Sequence, residues 1–203
     1  MKVSLNIGYL SSNKNDECYT PYYAVEPIIK YIPKDKVVWC PFDEEWSAFV
    51  QLLRQNGNVV ILSHLRDGYD FLNYEPFYYD IIVSNPPFSI KDQIIKRLYE
   101  LNKPFIILLP LNTLQGISRY KYFKDGIQLL VFDQRIGYHN PENMISTVEA
   151  SPFASAYFCR YILPNDLIIE HLDKYNKSLA FKNMANLINK NMCNLGGNYY
   201  GME

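Results

Sequence analysis

The sequence predicts an α/β protein organised around a mostly parallel β-sheet, and three observations support this. Short apolar runs rich in β-branched residues alternate along the chain with stretches whose apolar residues recur at helical spacing. Residues 36–40 and the helical pattern that follows them at 46–53 have the strand–turn–helix order of a nucleotide-type α/β unit. Residues 104–110 are apolar throughout, which is typical of a central parallel strand covered on both faces.

The N-terminal part of the chain predicts one strand and one helix before this unit. Residues 2–8 alternate polar and apolar side chains and indicate an edge strand. Thr20 is a good helix cap and Pro21 suits the first helical position, so a helix is expected to begin there. Pro27 lies inside this helical pattern and predicts a kink or a later start.

Capping residues predict where the later helices begin and end. Asp43 is expected to cap the helix after the first core strand, and Gly57 to end it. Ser89 and Asp92 resemble a capping box with a shorter acid at the start of a second helix. The remaining predicted strands are residues 58–63, 79–84, 126–132 and 154–163, and the remaining predicted helices are residues 165–174 and 179–188.

Length and composition fit one α/β domain with a small appendage. The chain has 203 residues, of which 48% are hydrophobic and 20% charged, and a chain of this size buries roughly 70% of its unfolded surface. We expect an N-terminal extension at residues 1–18, a main domain at 19–175, and a C-terminal helix and flexible tail at 176–203. The formal net charge of −1 argues against tight nonspecific DNA binding.

The spacing of cysteines and histidines argues against a metal site. The four cysteines are widely separated, and the three histidines form no ligand pair at helical spacing. Cysteines without a dense framework are typical of reduced thiols in a cytosol. The N-terminus is too short and too polar for a signal peptide, and no run approaches the ~20 apolar residues of a membrane-spanning helix. We therefore expect a soluble, cytoplasmic protein without metal or membrane contacts.

The most informative stretch is an apolar run, residues 79–84, that ends on Asn85-Pro86-Pro87-Phe88. Two consecutive prolines cannot donate backbone hydrogen bonds, so the strand must stop and leave a stiff, extended segment. In an open α/β sheet, ligands bind at the carboxyl ends of the strands. The sequence therefore predicts an amide, two fixed carbonyls and an aromatic ring at that edge. A proline-terminated strand and turn without a ligand is the simpler alternative.

The tetrapeptide resembles the catalytic Asn/Asp-Pro-Pro-aromatic motif of S-adenosylmethionine-dependent amino-group methyltransferases, in particular the phage-type N6-adenine DNA methyltransferases. The resemblance implies a class I methyltransferase (Rossmann-like) fold, with a mostly parallel seven-stranded sheet and helices on both faces. It implies methyl transfer from S-adenosylmethionine to the N6 amino group of adenine in DNA, in the cytoplasm of a bacterium or a phage-infected cell. The implied catalytic residues are Asn85, Pro86, Pro87 and Phe88.

The resemblance also gives each part of the motif a chemical task. An exocyclic adenine amine is a poor nucleophile, because its lone pair is delocalised into the ring. The side-chain oxygen of Asn85 and the carbonyl of Pro86 would each accept one of its N–H bonds and so aim the lone pair at the methyl group. Phe88 would stack on the base, which offsets part of the few kcal/mol needed to flip it from a duplex.

Cofactor contacts are implied at four other places. Tyr19-Thr20-Pro21 resembles the segment over the cofactor's methionine end, and Asp70-Phe71 resembles the pair that binds its adenine. Two places depart from the family. The first core strand ends on residues 40–43 instead of a glycine-rich loop, and the second ends on Ser63-His64 instead of an acidic residue. The implied cofactor-binding residues are Tyr19, Thr20, Pro21, Cys40, Pro41, Phe42, Asp43, Ser63, His64, Asp70, Phe71 and Asn85.

Substrate contacts are expected beyond the motif. Residues 119–124 interleave basic and aromatic side chains, as phosphate contact combined with base stacking requires. An amphipathic helix with a solvated face explains this pattern equally well. Residues 133–147 form a polar, loop-like stretch that is expected to border the substrate. The implied substrate-binding residues are Phe88, Lys91, Arg119, Lys121 and Tyr138.

Two alternatives to a DNA methyltransferase stay open at this point. The same motif serves other planar amines and amides, so an RNA base or a protein glutamine is a candidate substrate. The missing glycine loop and missing acidic residue also allow a methyltransferase-fold module that binds without catalysis.

Overall fold

Seven strands form one mixed sheet in the computed structural model, which describes residues 18–139, 151 and 153–174. The order across the sheet is β2-β1-β3-β4-β6-β5-β7. Strand β6 is antiparallel to both of its neighbours, and the other pairs are parallel, so six strands run in one direction. The strands are β1 (Val37–Cys40), β2 (Val59–Leu62), β3 (Ile81–Ser84), β4 (Phe105–Pro110), β5 (Gln128–Phe132), β6 (Ser155–Arg160) and β7 (Leu167–Glu170).

Helices cover both faces of this sheet. The α-helices of the described residues are α1 (Tyr22–Ile29), α2 (Ala48–Asn56), α3 (Lys91–Leu101) and α4 (Tyr120–Phe123). Helices α1 and α2 pack on one face and α3 on the other. Successive residues of a strand point to opposite faces, so Ile106 and Leu108 of β4 join the first core, and Ile107 and Leu109 join the second. All six residues of β4 are buried, as the sequence predicts.

The prediction of an α/β fold with a mostly parallel seven-stranded sheet and helices on both faces is confirmed, and β6 makes the sheet mixed. The strands that make up the sheet differ in part from the predicted set. Residues 2–8, the predicted edge strand, lie outside the described residues. The helix predicted at residues 165–174 is wrong, because Leu167–Glu170 pairs with β5 as the edge strand β7. A short Leu-Ile-Ile run fits either state by periodicity, and pairing with β5 decides it.

Two predicted helix caps are wrong. Pro21, with a ψ of 157°, is itself the N-cap of α1, so the helix begins one residue late and Thr20 does not cap it. The helix continues through Pro27 to Ile29. Helix α2 begins at Ala48 and is capped by Ser47, whose hydroxyl oxygen accepts from the backbone N–H of Phe49. Asp43 is thereby freed for a different role.

The ends of the later helices are also set by local chemistry. Gly57 ends α2 with a φ of 100°, as predicted. Helix α3 begins at Lys91 after a 3₁₀ turn, Phe88–Ile90, and no side chain caps it, so the predicted capping box at Ser89 is wrong. The amphipathic helix considered for residues 119–124 is only the single turn of α4, and a 3₁₀ turn, Leu111–Leu114, precedes it.

The predicted appendages lie almost wholly outside the described residues, apart from Cys18. The described helices are all too short or too polar to cross a bilayer.

Candidate functional site

The Asn85–Phe88 motif lies at the carboxyl ends of the central parallel strands. Asn85 follows the last residue of β3 directly, and β3 lies between β1 and β4. Pro86 is buried, whereas Pro87 and Phe88 are half-buried. Strand β2 lies on one side of β1, and β3, the next strand along the chain, lies on the other side of β1. The gap between β1 and β3 is therefore a topological switch point, where open α/β sheets bind ligands.

The side chain of Asn85 has one satisfied and one unsatisfied end. Its Nδ2 donates to the carbonyl oxygen of Cys18 at 2.8 Å, and only the NH₂ end can do so, which fixes the orientation of the amide. Its Oδ1 is closed to solvent and has no hydrogen-bond partner among the described residues. A buried acceptor without a partner destabilises a fold by about 1–3 kcal/mol. This atom is therefore a candidate for bonding a ligand donor.

A second chain segment crosses this edge next to Asn85. Tyr19 and His139 exchange two backbone hydrogen bonds, of 2.9 and 3.0 Å, which holds residues 18–20 beside the chain after β5. Thr20 is buried, and its hydroxyl has no partner among the described residues. His139 is buried too, and burial lowers the pKa of its imidazole to about 4. The imidazole is therefore neutral near pH 7.

Asp43 links the two strands that flank the switch point. Its Oδ1 accepts from the Ser47 hydroxyl at 2.5 Å, and its Oδ2 accepts from the hydroxyl of Ser84, the last residue of β3. Burial raises the pKa of this carboxyl to about 6, against the opposing effect of the two serine hydroxyls. Asp43 therefore positions the residue immediately before Asn85.

The predicted cofactor residues at the ends of β1 and β2 are either hydrogen-bonded within the protein or buried. Ser63 is buried and accepts the indole N–H of Trp39 at 2.9 Å. His64 caps a 3₁₀ turn, because its Nδ1 accepts the backbone N–H of Arg66 at 3.2 Å. Cys40 is buried, and burial raises the pKa of its thiol well above the usual value. Pro41 is buried beside it.

The Asp70-Phe71 pair lies close to the end of β1. Asp70 closes a turn: its carboxylate accepts the backbone N–H of Leu72 at 3.0 Å and the Asn73 amide at 2.8 Å. The ring of Phe71 is buried, with its centre 5.3 Å from that of Trp39 and 5.0 Å from that of Phe42. Phe42 and Phe71 are thus brought together, whereas the sequence separates them by 29 positions.

Three aromatic rings near the motif contact one another in a row. Phe88 meets Phe153 edge-on at 5.5 Å, and Phe153 meets Tyr138 at 5.8 Å. Tyr138 is buried, and its hydroxyl donates to the Ser155 hydroxyl oxygen at 2.7 Å. Tyr138 therefore supports Phe153 from inside the protein, and Phe88 is the more accessible of the two predicted aromatic substrate contacts.

The three predicted cationic contacts lie on or beside α3. The Lys91 ammonium donates to the Phe88 carbonyl oxygen at 3.4 Å. Arg119 pairs with Asp92 in the first turn of α3 at 2.6 Å, which neutralises most of its charge. Lys121 lies over the Tyr122 ring, 4.9 Å from its centre.

Several contacts at this edge have no local signal in the sequence. The Cys18 carbonyl reaches Asn85 across 67 positions, and Ser84 reaches Asp43 across 41. Only the fold brings such pairs together. The predicted loop at residues 133–147 gave a partial signal for His139, and the rest of that loop from residue 140 lies outside the described residues. The described part of the chain holds no cluster of three or more histidine, cysteine or acidic side chains suited to a metal ion.

Comparisons with known proteins leave the site to be interpreted from its own geometry. No protein-family model and no curated protein sequence matches the chain. Among solved structures, the crystal structure of the 23S rRNA methyltransferase ErmE is similar to it at 12% sequence identity and a TM-score of 0.38. The match covers 85% of this chain and 79% of that one.

Proposed function

We propose that the protein transfers a methyl group from S-adenosylmethionine to the N6 amino group of adenine in DNA, as the phage-type N6-adenine methyltransferases do. The observation that carries this proposal is the buried Asn85 Oδ1, which lacks a partner among the described residues and begins the Asn-Pro-Pro-Phe motif. Its position at the end of β3, beside the switch point, is where an α/β sheet binds ligands.

The motif supplies hydrogen-bond acceptors and a stacking surface, and it supplies no general base to remove a proton. Asn85 Oδ1 and the Pro86 carbonyl accept the two N–H bonds of the amine and orient its lone pair. The rigid Pro86-Pro87 pair fixes both acceptors relative to the Phe88 ring. The amine is methylated first and then releases its extra proton to water, so no residue has to remove a proton before transfer. Because Oδ1 is closed to solvent, binding requires the segments around it to open.

The residues around Asn85 fit the cofactor at its methionine end. S-adenosylmethionine, when bound, supplies an electrophilic methyl group. The unpartnered Thr20 hydroxyl, between Tyr19 and Pro21, is a hydrogen-bonding group available for its polar end. Phe42 and Phe71 offer an aromatic surface for its adenine. Asp43 and Ser63 bond within the protein, so we assign them to the support of this site.

The test is methyl transfer from labelled cofactor to DNA, RNA and protein in parallel. We expect label on DNA adenine, and we expect Asn85→Ala to lower the rate by about 10²–10³-fold, as loss of one preorganised polar contact does elsewhere. Asn102→Gly is the matched control. Asn102 is exposed at the far end of α3 with a φ of 51°, a conformation that glycine adopts freely.

The outcomes separate the alternatives. Label on RNA or on protein glutamine, with none on DNA, would replace the proposed substrate while keeping the role of Asn85. Undetectable binding of S-adenosylmethionine at millimolar concentration by calorimetry would favour a binding module without catalysis. Full activity of a folded Asn85→Ala protein would remove the assigned role.

A further inference from the structure

The loop after β4 exposes more apolar surface than its length requires. Ile117 is 98% exposed and Tyr120 is 68% exposed, while Leu114 is 38% exposed. A single exposed apolar side chain needs no explanation, but three within seven residues on one loop indicate a contact surface. Residues 114–121 are called the tip loop below.

The tip loop is held in a fixed shape. The backbone N–H of Arg119 donates to the Gly116 carbonyl at 3.0 Å, which closes a turn with Ile117 near its apex. The Arg119 guanidinium folds beneath this turn and donates to the Gln115 carbonyl and to Asp92. A Cβ at position 116 would clash with that guanidinium, so glycine leaves the room that the guanidinium occupies. Ile117 is thus presented on a preorganised support.

The same contacts place the tip loop next to the Asn85–Phe88 motif. Asp92 is the second residue of α3, and α3 follows Phe88–Ile90 directly. The Arg119–Asp92 pair therefore joins the tip loop to the helix that begins beside the motif. The loop also follows the carboxyl end of β4, which is the neighbour of β3. Both lie at one edge of the sheet.

The surroundings of the tip loop are cationic. A groove of about 230 Å³ lies between α3 and α4, and Lys96, Lys121 and Arg119 line it with the polar side chains of Gln93 and Ser118. Asp92 pairs with Arg119, and Glu100 pairs with Lys96 at 3.6 Å, so these two ion pairs are close to neutral. Lys121 is the groove cation for which the described residues supply no acidic partner. Lys91 adds a further cation at the start of α3. This combination fits a polyanion that also offers apolar surface, which describes the phosphates and stacked bases of a duplex.

We propose that the tip loop is a duplex-opening wedge, in which Ile117 enters the base stack beside the target adenine and Lys121 contacts a backbone phosphate. This proposal rests on the proposed function, since it names how that site obtains its base from double-stranded DNA. Apolar side chains inserted between base steps unstack them, and extrusion of a base from a duplex requires a few kcal/mol. A single-stranded substrate needs no such opening.

The test compares native genomic DNA with the same DNA after heat denaturation. We expect Ile117→Ser to lower methyl transfer to the duplex roughly tenfold and to change transfer to single strands less than twofold. Ile117 is almost fully exposed, so this substitution leaves folding intact. Phe77→Ser is the matched control, because Phe77 is fully exposed and precedes the amino end of β3 at the opposite edge.

Duplex binding supplies a second readout. We expect Lys121→Gln to weaken binding of a labelled duplex and to reduce the salt dependence of that binding by about one ion. We expect Ile117→Ser to weaken binding without changing the salt dependence. If wild-type protein binds the duplex with this dependence on Ile117 and Lys121 but transfers no methyl group, the proposed function fails, and the tip loop remains a duplex contact.

Two results would overturn the wedge itself. One is an Ile117→Ser protein that methylates and binds the duplex as wild type does. The other is an equal loss on duplex and single strands, which would place Ile117 in the support of the site. In both cases methyl transfer by the wild-type protein would leave the proposed function intact.

Discussion

Asp43 is a buried carboxylate whose protonation changes the stability of the fold. Burial raises its pKa from 3.8 to about 6, so between these values the folded protein holds a proton that the unfolded chain releases. The contribution of Asp43 to the free energy of unfolding is therefore highest below pH 3.8. It falls by about 3 kcal/mol as the pH rises through 6, where the buried charge must be tolerated.

We expect Asp43→Asn to remove this pH dependence. The free energy of unfolding of the variant, relative to wild type, should rise by about 3 kcal/mol between pH 3 and pH 7, measured by urea denaturation at several pH values. Ser84→Ala removes a bond that lowers the pKa of Asp43, so it should move the same transition to higher pH. A difference between Asp43→Asn and wild type that is constant with pH would contradict the assigned cause.

Thr20 offers a test that separates stability from ligand binding. Its buried hydroxyl has no partner among the described residues, so Thr20→Val removes an unsatisfied polar group without changing the shape of the side chain. We expect the free energy of unfolding to rise by about 1 kcal/mol. We expect binding of S-adenosylmethionine, measured by calorimetry, to weaken about tenfold.

Thr113→Val is the matched control for Thr20. The Thr113 hydroxyl is also buried and has no partner among the described residues, so its removal should stabilise the protein to a similar degree. It should leave cofactor binding unchanged, because Thr113 follows β4 and has no place in the proposed cofactor site. Equal effects of the two variants on binding would remove Thr20 from that site.

For single residues, the sequence predicts the chemical role of a local motif better than it predicts hydrogen bonds between distant residues. Asn85-Pro86-Pro87-Phe88 is informative because its residues act together at neighbouring positions, and strand termination follows from proline alone. The bonds that hold Asn85 and Asp43 join residues dozens of positions apart. Side-chain composition does not specify such pairs. The sequence accordingly predicts Asp43 as a helix cap, whereas its carboxylate accepts the Ser84 hydroxyl in the interior.

Among the elements, β7 differs from the prediction, because its residues are predicted as a helix and form an edge strand. Contacts with residues distant in the sequence explain why they form a strand. Glu170, at the end of β7, accepts the Tyr31 hydroxyl at 2.6 Å and pairs with Lys30 at 2.6 Å. Both partners follow α1 directly, so this carboxylate joins the edge strand β7 to the end of α1. Its side chain is only 17% exposed, which limits screening by solvent.

We expect Glu170→Ala to lower the free energy of unfolding by about 1–2 kcal/mol, since it removes a charged hydrogen bond and an ion pair. Glu100→Ala is the matched control. Glu100 pairs with Lys96 on the exposed surface of α3 at 3.6 Å, and such pairs contribute about 0.5 kcal/mol or less. Equal losses in the two variants, measured by urea denaturation, would mean that Glu170 does not anchor β7.

For the whole molecule, the alternation of side chains along β4 creates two separate cores. Ile106 belongs to the core under α1 and α2, and Ile107 belongs to the core under α3. Val83 of β3 pairs in register with Ile106 and lies in the same core. The sequence predicts this arrangement, because an apolar strand without alternation has to be covered on both faces. It does not predict which helix covers which face.

The two cores predict a pattern of additivity. Ile106→Val and Ile107→Val should each lower the free energy of unfolding by about 1 kcal/mol. Their double variant should lose the sum to within about 0.5 kcal/mol, because the side chains lie on opposite faces and share no core. Ile106→Val combined with Val83→Ala should depart from the sum by about 0.5 kcal/mol or more, since these residues are neighbours. Urea denaturation of the single and double variants measures both couplings. Strong coupling between Ile106 and Ile107 would contradict this pattern, because it would show that the sheet transmits packing changes from one face to the other.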